Sequence, residues 1–227
     1  MLPSFFWRSE CHLVNQCNVI MIKGVKRFLY GSGAQRWLSS KRLELLDRLS
    51  NGKILQSSDN VRRILEVGCA NGKDFVTLVS GRDDLEIYGI DLVDKGLRQD
   101  NFNMLVGDAS DLDFPDDYFD VVLSFGVLEH VQPVEKLCRM ISEIDRVGKS
   151  YYNVVPAVST LVEPHTSSMF WQLRGRNRKA SHPSLNYYSD DAWLQFEGFE
   201  GASLKRFFHI PPFITNLVIY RPGQSSI

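Results

Sequence analysis

Residues 64–72 read Ile-Leu-Glu-Val-Gly-Cys-Ala-Asn-Gly, an apolar run interrupted by a carboxylate at Glu66 and closed by two glycines, Gly68 and Gly72. The run predicts a strand over 63–68 that enters a tight turn. Glycine adopts positive φ without a clash and lets a ligand approach where a Cβ would collide. A helix predicted over 72–80 aims its first N–H groups at the same turn. A second apolar run, Ile87-Tyr-Gly-Ile-Asp91, predicts a strand over 86–91. Its terminal carboxylate falls about 20 residues further on, the interval at which dinucleotide-binding folds place a ribose-binding acid. The pattern points to a nucleoside cofactor at the end of the first strand.

Charge discriminates among such cofactors. A pyrophosphate-binding turn wants G-x-G-x-x-G, whereas Ala70 occupies the second glycine position and Glu66 stands two residues before Gly68. A carboxylate about 4 Å from a pyrophosphate repels it by about 4 kcal/mol at an effective dielectric of about 20. The same carboxylate attracts a sulfonium or an ammonium. The pattern favours S-adenosylmethionine over NAD, and an NAD-linked oxidoreductase is the weaker reading.

Around these residues the chain resembles the class I S-adenosylmethionine-dependent methyltransferases, in particular the group labelled type 11. The resemblance is close over 60–150 and holds in outline elsewhere. It rests on Glu66-Val-Gly68-Cys-Ala-Asn-Gly72, on Asp91, on Gly107-Asp108-Ala109, and on Phe119-Asp-Val-Val-Leu-Ser-Phe-Gly-Val-Leu-Glu-His130. It implies S-adenosylmethionine as cofactor. Glu66 and the glycine turn (Gly68, Cys69, Gly72) would hold the methionine part, Asp91 the ribose, and Asp108 with Ala109 the adenine. Leu92, Ser124 and Phe125 complete the expected cofactor set. The pair Cys69-Ala70 departs from the small residue and glycine usual in the family.

Each of these residues also has a purely structural reading. Asp91 at a strand-to-helix junction can cap a helix, Asp108 lies in a turn-forming composition, and Phe125 can be core. His130, at the carboxyl edge of the fourth strand, is either a hydrogen-bonding residue of the fold or a general base poised near neutral pH. Asp111, Asp113, Asp116 and Asp117 crowd one loop without EF-hand spacing, so a solvated loop is expected there rather than a cation site. The cysteines (Cys11, Cys17, Cys69, Cys138) lack metal-ligand spacing and suggest a reduced, cytoplasmic setting, with no metal expected.

Along the rest of the chain, a helix over 35–50 presents Leu43, Leu46 and Leu49 on one face. Strands are predicted over 103–107, 119–124 and 149–156, and helices over 133–147 and 190–196, the last capped by Ser189. Ser203–Ile210 and Ile214–Tyr220, joined only by Pro211-Pro212-Phe213, form a hairpin because the connection is too short for a crossover. The expected fold is α/β: a doubly wound, Rossmann-like, mostly parallel seven-stranded sheet with an antiparallel C-terminal strand pair. Residues 1–34 are read as an N-terminal extension, partly irregular, with Met21 an alternative start. Residues 35–227 form the methyltransferase domain.

An insertion over 156–188 without clear periodicity is the expected substrate or lid segment. It carries Glu163-Pro-His165, an aromatic pair at Phe170-Trp171, and the basic run Arg174–Lys179. The last two suit an anionic or sugar-like acceptor, or else form a solvated basic turn. The predicted substrate is a small-molecule, glycan or lipid-linked acceptor, and His130, His165 and Glu163 are the candidate bases. A net charge of −1 gives no reason to expect nucleic acid. The strand-four signature of amino-methylating nucleic-acid enzymes is replaced by Ser124-Phe-Gly-Val, which argues the same way. No apolar run is long enough to span a membrane. A methyltransferase-like module that binds without turnover is the alternative function.

Overall fold

The computed structural model describes residues 32–50, 63–70, 82–94, 96, 101–163, 168–169, 185–210 and 213–223. The helix expected over 72–80, Gly72, His165, the aromatic pair at 170–171, the basic run 174–179, Cys11 and Cys17 lie outside the described residues.

Strands β1 (Arg63–Val67), β2 (Glu86–Asp91), β3 (Phe102–Val106), β4 (Val121–Phe125) and β5 (Tyr151–Pro156) pair in parallel. Between β5 and the C-terminus come the short antiparallel pair β6 (Val162–Glu163) and β7 (Ser168–Met169), then β8 (Ser203–Ile210) and β9 (Ile214–Arg221). The main sheet has seven strands in the order β3-β2-β1-β4-β5-β9-β8, and β9 runs antiparallel to both of its neighbours. This is the fold expected from the sequence, C-terminal hairpin included.

Side-chain alternation divides the core into two layers. Ile64, Ile87, Val121, Leu123, Tyr152 and Val154 point to one face and meet Leu43, Leu45 and Leu46 of helix α1 (Ser32–Leu49). Leu65, Val67, Val122, Tyr151 and Val155 point to the other and meet helix α2 (Val134–Val147). Helix α2 is amphipathic, with Leu137, Met140, Ile141, Ile144 and Val147 buried at helical spacing. Each such side chain contributes about 1.5–3 kcal/mol on burial. The parallel strands are covered on both faces, so they read as near-continuous apolar runs.

Of the boundaries that differ from expectation, two show their local cause. β4 begins at Val121 because Asp120 turns back to β1: its N–H donates to the Arg63 carbonyl (2.9 Å) and its carboxylate accepts from the Arg63 N–H (3.0 Å). Phe119 makes only an isolated bridge with Gly148. Helix α3 (Asp190–Trp193) is one turn long, and Ser189 caps it by accepting from the Ala192 N–H at 3.3 Å.

The aspartate-rich loop between β3 and β4 is pinned by one side chain. Arg146 of α2 donates to both carboxylate oxygens of Glu143 (2.7 Å each), to the carbonyls of Phe114 (2.7 Å) and Leu112 (2.9 Å), and to Asp116 (3.0 Å). Glu143 in turn accepts from the Leu112 N–H at 2.8 Å. Arg146→Ala is expected to lower the unfolding free energy by about 2 kcal/mol, since it removes charge-assisted bonds from a partly exposed position. Urea denaturation measures this as a lower midpoint at unchanged slope. A loss below about 0.5 kcal/mol would show that apolar packing alone holds the loop.

Candidate functional site

The turn after β1 is tied to the end of β2. The N–H groups of Gly68 and Cys69 donate to the Ile90 carbonyl at 2.8 and 3.2 Å, and the Ala70 N–H donates to the Asp91 carboxylate at 2.8 Å. Gly68 has φ +68°, and a Cβ there would stand 2.3 Å from Cγ2 of Val127, so only glycine fits. Ala70 adopts φ 51°, the left-handed region. The residue that departs from glycine therefore sits in a conformation that costs an alanine about 1–2 kcal/mol.

Beyond the turn a cleft of about 430 Å³ opens along the carboxyl ends of β1 to β4. The chain order reverses between β1 and β4, and such switch points are where open α/β sheets bind ligands. Val67 and Gly68 form one wall, Ile90, Asp91 and Leu92 a second, Gly107, Asp108 and Ala109 a third. The segment after β4 closes it with Gly126, Val127, His130 and Val131. Gly68, Asp91, Leu92, Asp108, Ala109 and His130, all singled out from the sequence, thus meet in one place. Leu92 is 65% exposed at the cleft, an apolar surface open to a ligand.

Lys136 lines the cleft as well, and sequence reasoning missed it. Its position was legible, since it lies one helical turn before Met140, a buried residue of α2 that also lines the cleft. The Lys136 ammonium is 2.6 Å from Oδ2 of Asp108, while Oδ1 accepts from the N–H and hydroxyl of Ser110 at 3.0 and 2.8 Å. Burial works against the ionised carboxyl of Asp108, but Lys136 and the Ser110 donors outweigh it and hold the group below the usual carboxylate range.

Other expected site residues lie off the cleft wall. Glu66 is buried, and its register partners Gly89 and Leu123 place it on the α1 side, opposite Val67. Cys69 packs in that same layer with its Sγ 3.5 Å from Sδ of Met104, and Phe125 packs against it. Ser124 is buried on the α2 side.

Glu163 on β6 is buried, as is Glu129 in the 3-10 turn Leu128–His130. The charges of both carboxylates reach Tyr187. Burial, then the charge of Glu163 and finally that of Glu129, push its hydroxyl well above the usual tyrosine range. Asn186 latches this segment to the turn: its N–H donates to the Glu129 carbonyl at 2.6 Å, and its side-chain amide donates to the carbonyls of Leu128 and Val131 at 3.2 and 2.7 Å. Among the described residues no helix is long and apolar enough to cross a membrane.

Residues 65–151 match the model of a methyltransferase domain family. Over 105 residues the chain is 32% identical to ajmaline N-methyltransferase of Rauvolfia serpentina, a match covering 41% of this chain and 35% of that relative's length. Among solved structures, a chain from the complex of the Haloferax volcanii Trm112 methyltransferase activator with a methyltransferase superposes with TM-score 0.58 at 14% identity, over 91% of this chain and 97% of that one. Burkholderia thailandensis 1,6-didemethyltoxoflavin-N1-methyltransferase, with 1,6-didemethyltoxoflavin and S-adenosylhomocysteine bound, gives TM-score 0.54 at 12% identity, over 99% and 93% of the two chains. At these identities the structural likeness is one of fold.

The Asp108–Lys136 pair makes a pH-dependent contribution with a defined sign. A carboxyl held below its unfolded value of about 3.9 stabilises the fold above that pH, and the contribution is lost as pH falls through the depressed folded value. Lys136→Met is expected to raise the Asp108 carboxyl, because burial then acts with less opposition. A carbon-13 NMR titration of the Asp108 carboxyl measures the shift, and an unmoved titration would assign the depression to Ser110 alone.

Proposed function

We propose that the chain is a class I S-adenosylmethionine-dependent methyltransferase, as the match over 65–151 and the 32%-identical relative support, and that it transfers the methyl group of S-adenosylmethionine to a small-molecule acceptor. The observation that carries this reading is the junction of the Gly68 turn with Asp91, a cradle without side chains beside a carboxylate at the mouth of the cleft. Asp91 accepts from the N–H groups of Ala70 and Val93, at 2.8 and 3.3 Å. A carboxylate has about four lone-pair sites, which leaves capacity for ribose hydroxyls. Asp108 and Ala109 suit the adenine edge, and Leu92 and Ile90 its apolar faces. A small-molecule acceptor is supported by the 32%-identical relative, whose name specifies ajmaline as its own acceptor.

Bound S-adenosylmethionine supplies a methyl group already activated on a sulfonium. The chain's part is therefore mainly positioning, which can account for about 7–11 kcal/mol of barrier. Of the expected bases, His130 is the one that lines the cleft among the described residues, where an imidazole near neutrality can take an acceptor proton for about 10²–10⁴-fold in rate.

Calorimetry with S-adenosylmethionine, S-adenosylhomocysteine and NAD tests the reading: the two sulfur nucleosides bind and NAD gives no heat. Asp91→Ala is expected to weaken S-adenosylhomocysteine by about 1–3 kcal/mol through unpaired ribose hydroxyls, with the melting temperature recorded alongside. Unchanged affinity would remove the ribose assignment.

A further inference from the structure

Lys136 sets a cation at the end of a helix that disfavours it. It stands in the first turn of α2, where the helix's free N–H groups make a positive end that attracts anions and works against an ammonium. The other lysine ion pairs among the described residues, Lys41–Glu44 and Lys149–Asp120, leave their lysines 46% and 55% exposed. Lys136 is 27% exposed and lines the cleft, as does Met140 one turn further along the same helix face. A single ion pair that is still partly exposed adds little to stability.

The pair that Lys136 makes with Asp108 leaves bonding capacity on both partners. Oδ1 of Asp108 uses its lone pairs on the Ser110 N–H and hydroxyl, at 3.0 and 2.8 Å. Oδ2 takes a Lys136 N–H at 2.6 Å and keeps a second lone pair. An ammonium has three N–H donors, and Asp108 is the one ion-pair partner of Lys136 among the described residues, so two donors remain. The cleft wall therefore presents an acceptor and a donor side by side, anchored at the Asp108 end by Ser110. Backbone bonding sets their place relative to Asp91: the Gly107 N–H, one residue before Asp108, donates to the Asp91 carbonyl at 3.0 Å.

The C6 edge of a 6-aminopurine offers the complementary pair, an amino N–H beside the lone pair of a ring nitrogen. We propose that Lys136 reads the base of the nucleoside cofactor, donating an N–H to a ring nitrogen that flanks the 6-amino group while Oδ2 of Asp108 accepts from that amino group. The proposal rests on the methyl-transfer reading above and adds to it a residue that determines cofactor specificity. A hydrogen bond from an ammonium is charge-assisted and stronger than one from a neutral donor. A base that lacks the ring nitrogen leaves this donor unmet inside the cleft, and the loss falls on affinity.

Calorimetry on the full chain tests this with S-adenosylhomocysteine and its 1-deaza and 7-deaza analogues, each of which replaces one of the two flanking ring nitrogens by C–H. At least one analogue is expected to bind the unaltered protein at least about tenfold more weakly than S-adenosylhomocysteine, and its identity names the nitrogen contacted. Lys136→Met keeps an apolar stem of similar length but has no donor. In that variant S-adenosylhomocysteine is expected to fall to the affinity of the weakened analogue, so that the difference between the two disappears. Equal affinity of the three nucleosides for the unaltered protein overturns the proposal without recourse to a variant. So does a penalty that persists in Lys136→Met: the three ligands then weaken by one factor, and Lys136 acts only through the charge of Asp108 or through folding. Absence of S-adenosylhomocysteine binding to the unaltered protein overturns the methyl-transfer reading itself, an outcome distinct from a missing analogue penalty in a protein that binds the nucleoside.

Discussion

The absence of a side chain at Gly68 is the constraint on which the site depends. Val127, in the segment after β4, occupies the space a Cβ would need, and the Gly68 and Cys69 N–H groups close on the end of β2. The ends of β1, β2 and β4 therefore converge at one point, held by backbone bonds and one steric fit. The cleft is what remains open beside that point, and its carboxylate at Asp91 is oriented by the turn it braces. Fold and site are coupled here: a substitution that opens the turn also moves the carboxylate.

Electrostatics organise the rest of the cleft in two tiers. Arg146 draws Glu143, Asp116 and two loop carbonyls together, which holds the aspartate-rich loop against α2. That loop carries Asp108 to the cleft, where Lys136 of the same helix meets it. One helix thus supplies both the cation that fixes the loop and the cation that sets the charge of the acid the loop presents. Ser124 of β4 and its register partner Asn153 of β5 run the other way energetically. They place unmet polar groups in an otherwise apolar layer, at a cost in stability.

Much of the fold was legible in the sequence for simple reasons. Strands buried on both faces leave continuous apolar runs, glycines mark the turn, and a connection as short as Pro211–Phe213 permits only a hairpin. Asp91 and Asp108 were legible because each ends an apolar strand on the same edge of the sheet. Leu45 was missed on α1, where the stripe is wider than the spacing of Leu43, Leu46 and Leu49 implies. Strand residues such as Glu66 and Ser124 were legible as residues of interest but not as to the face they occupy. A one-residue step reverses direction in a strand, and register is set only by pairing.

The sequence by itself determined the order of elements, the parallel sheet with its antiparallel end, the glycine turn and the two strand-end acids, because these follow from local conformational freedom and from periodicity. Tertiary structure decided which of the acids share a cleft, that Lys136 neutralises Asp108, and that Glu129, Glu163 and Tyr187 converge. Those contacts join residues 24 to 58 positions apart, and no local pattern encodes a distance that only the packing of α2 and the crossing of the sheet edge can close.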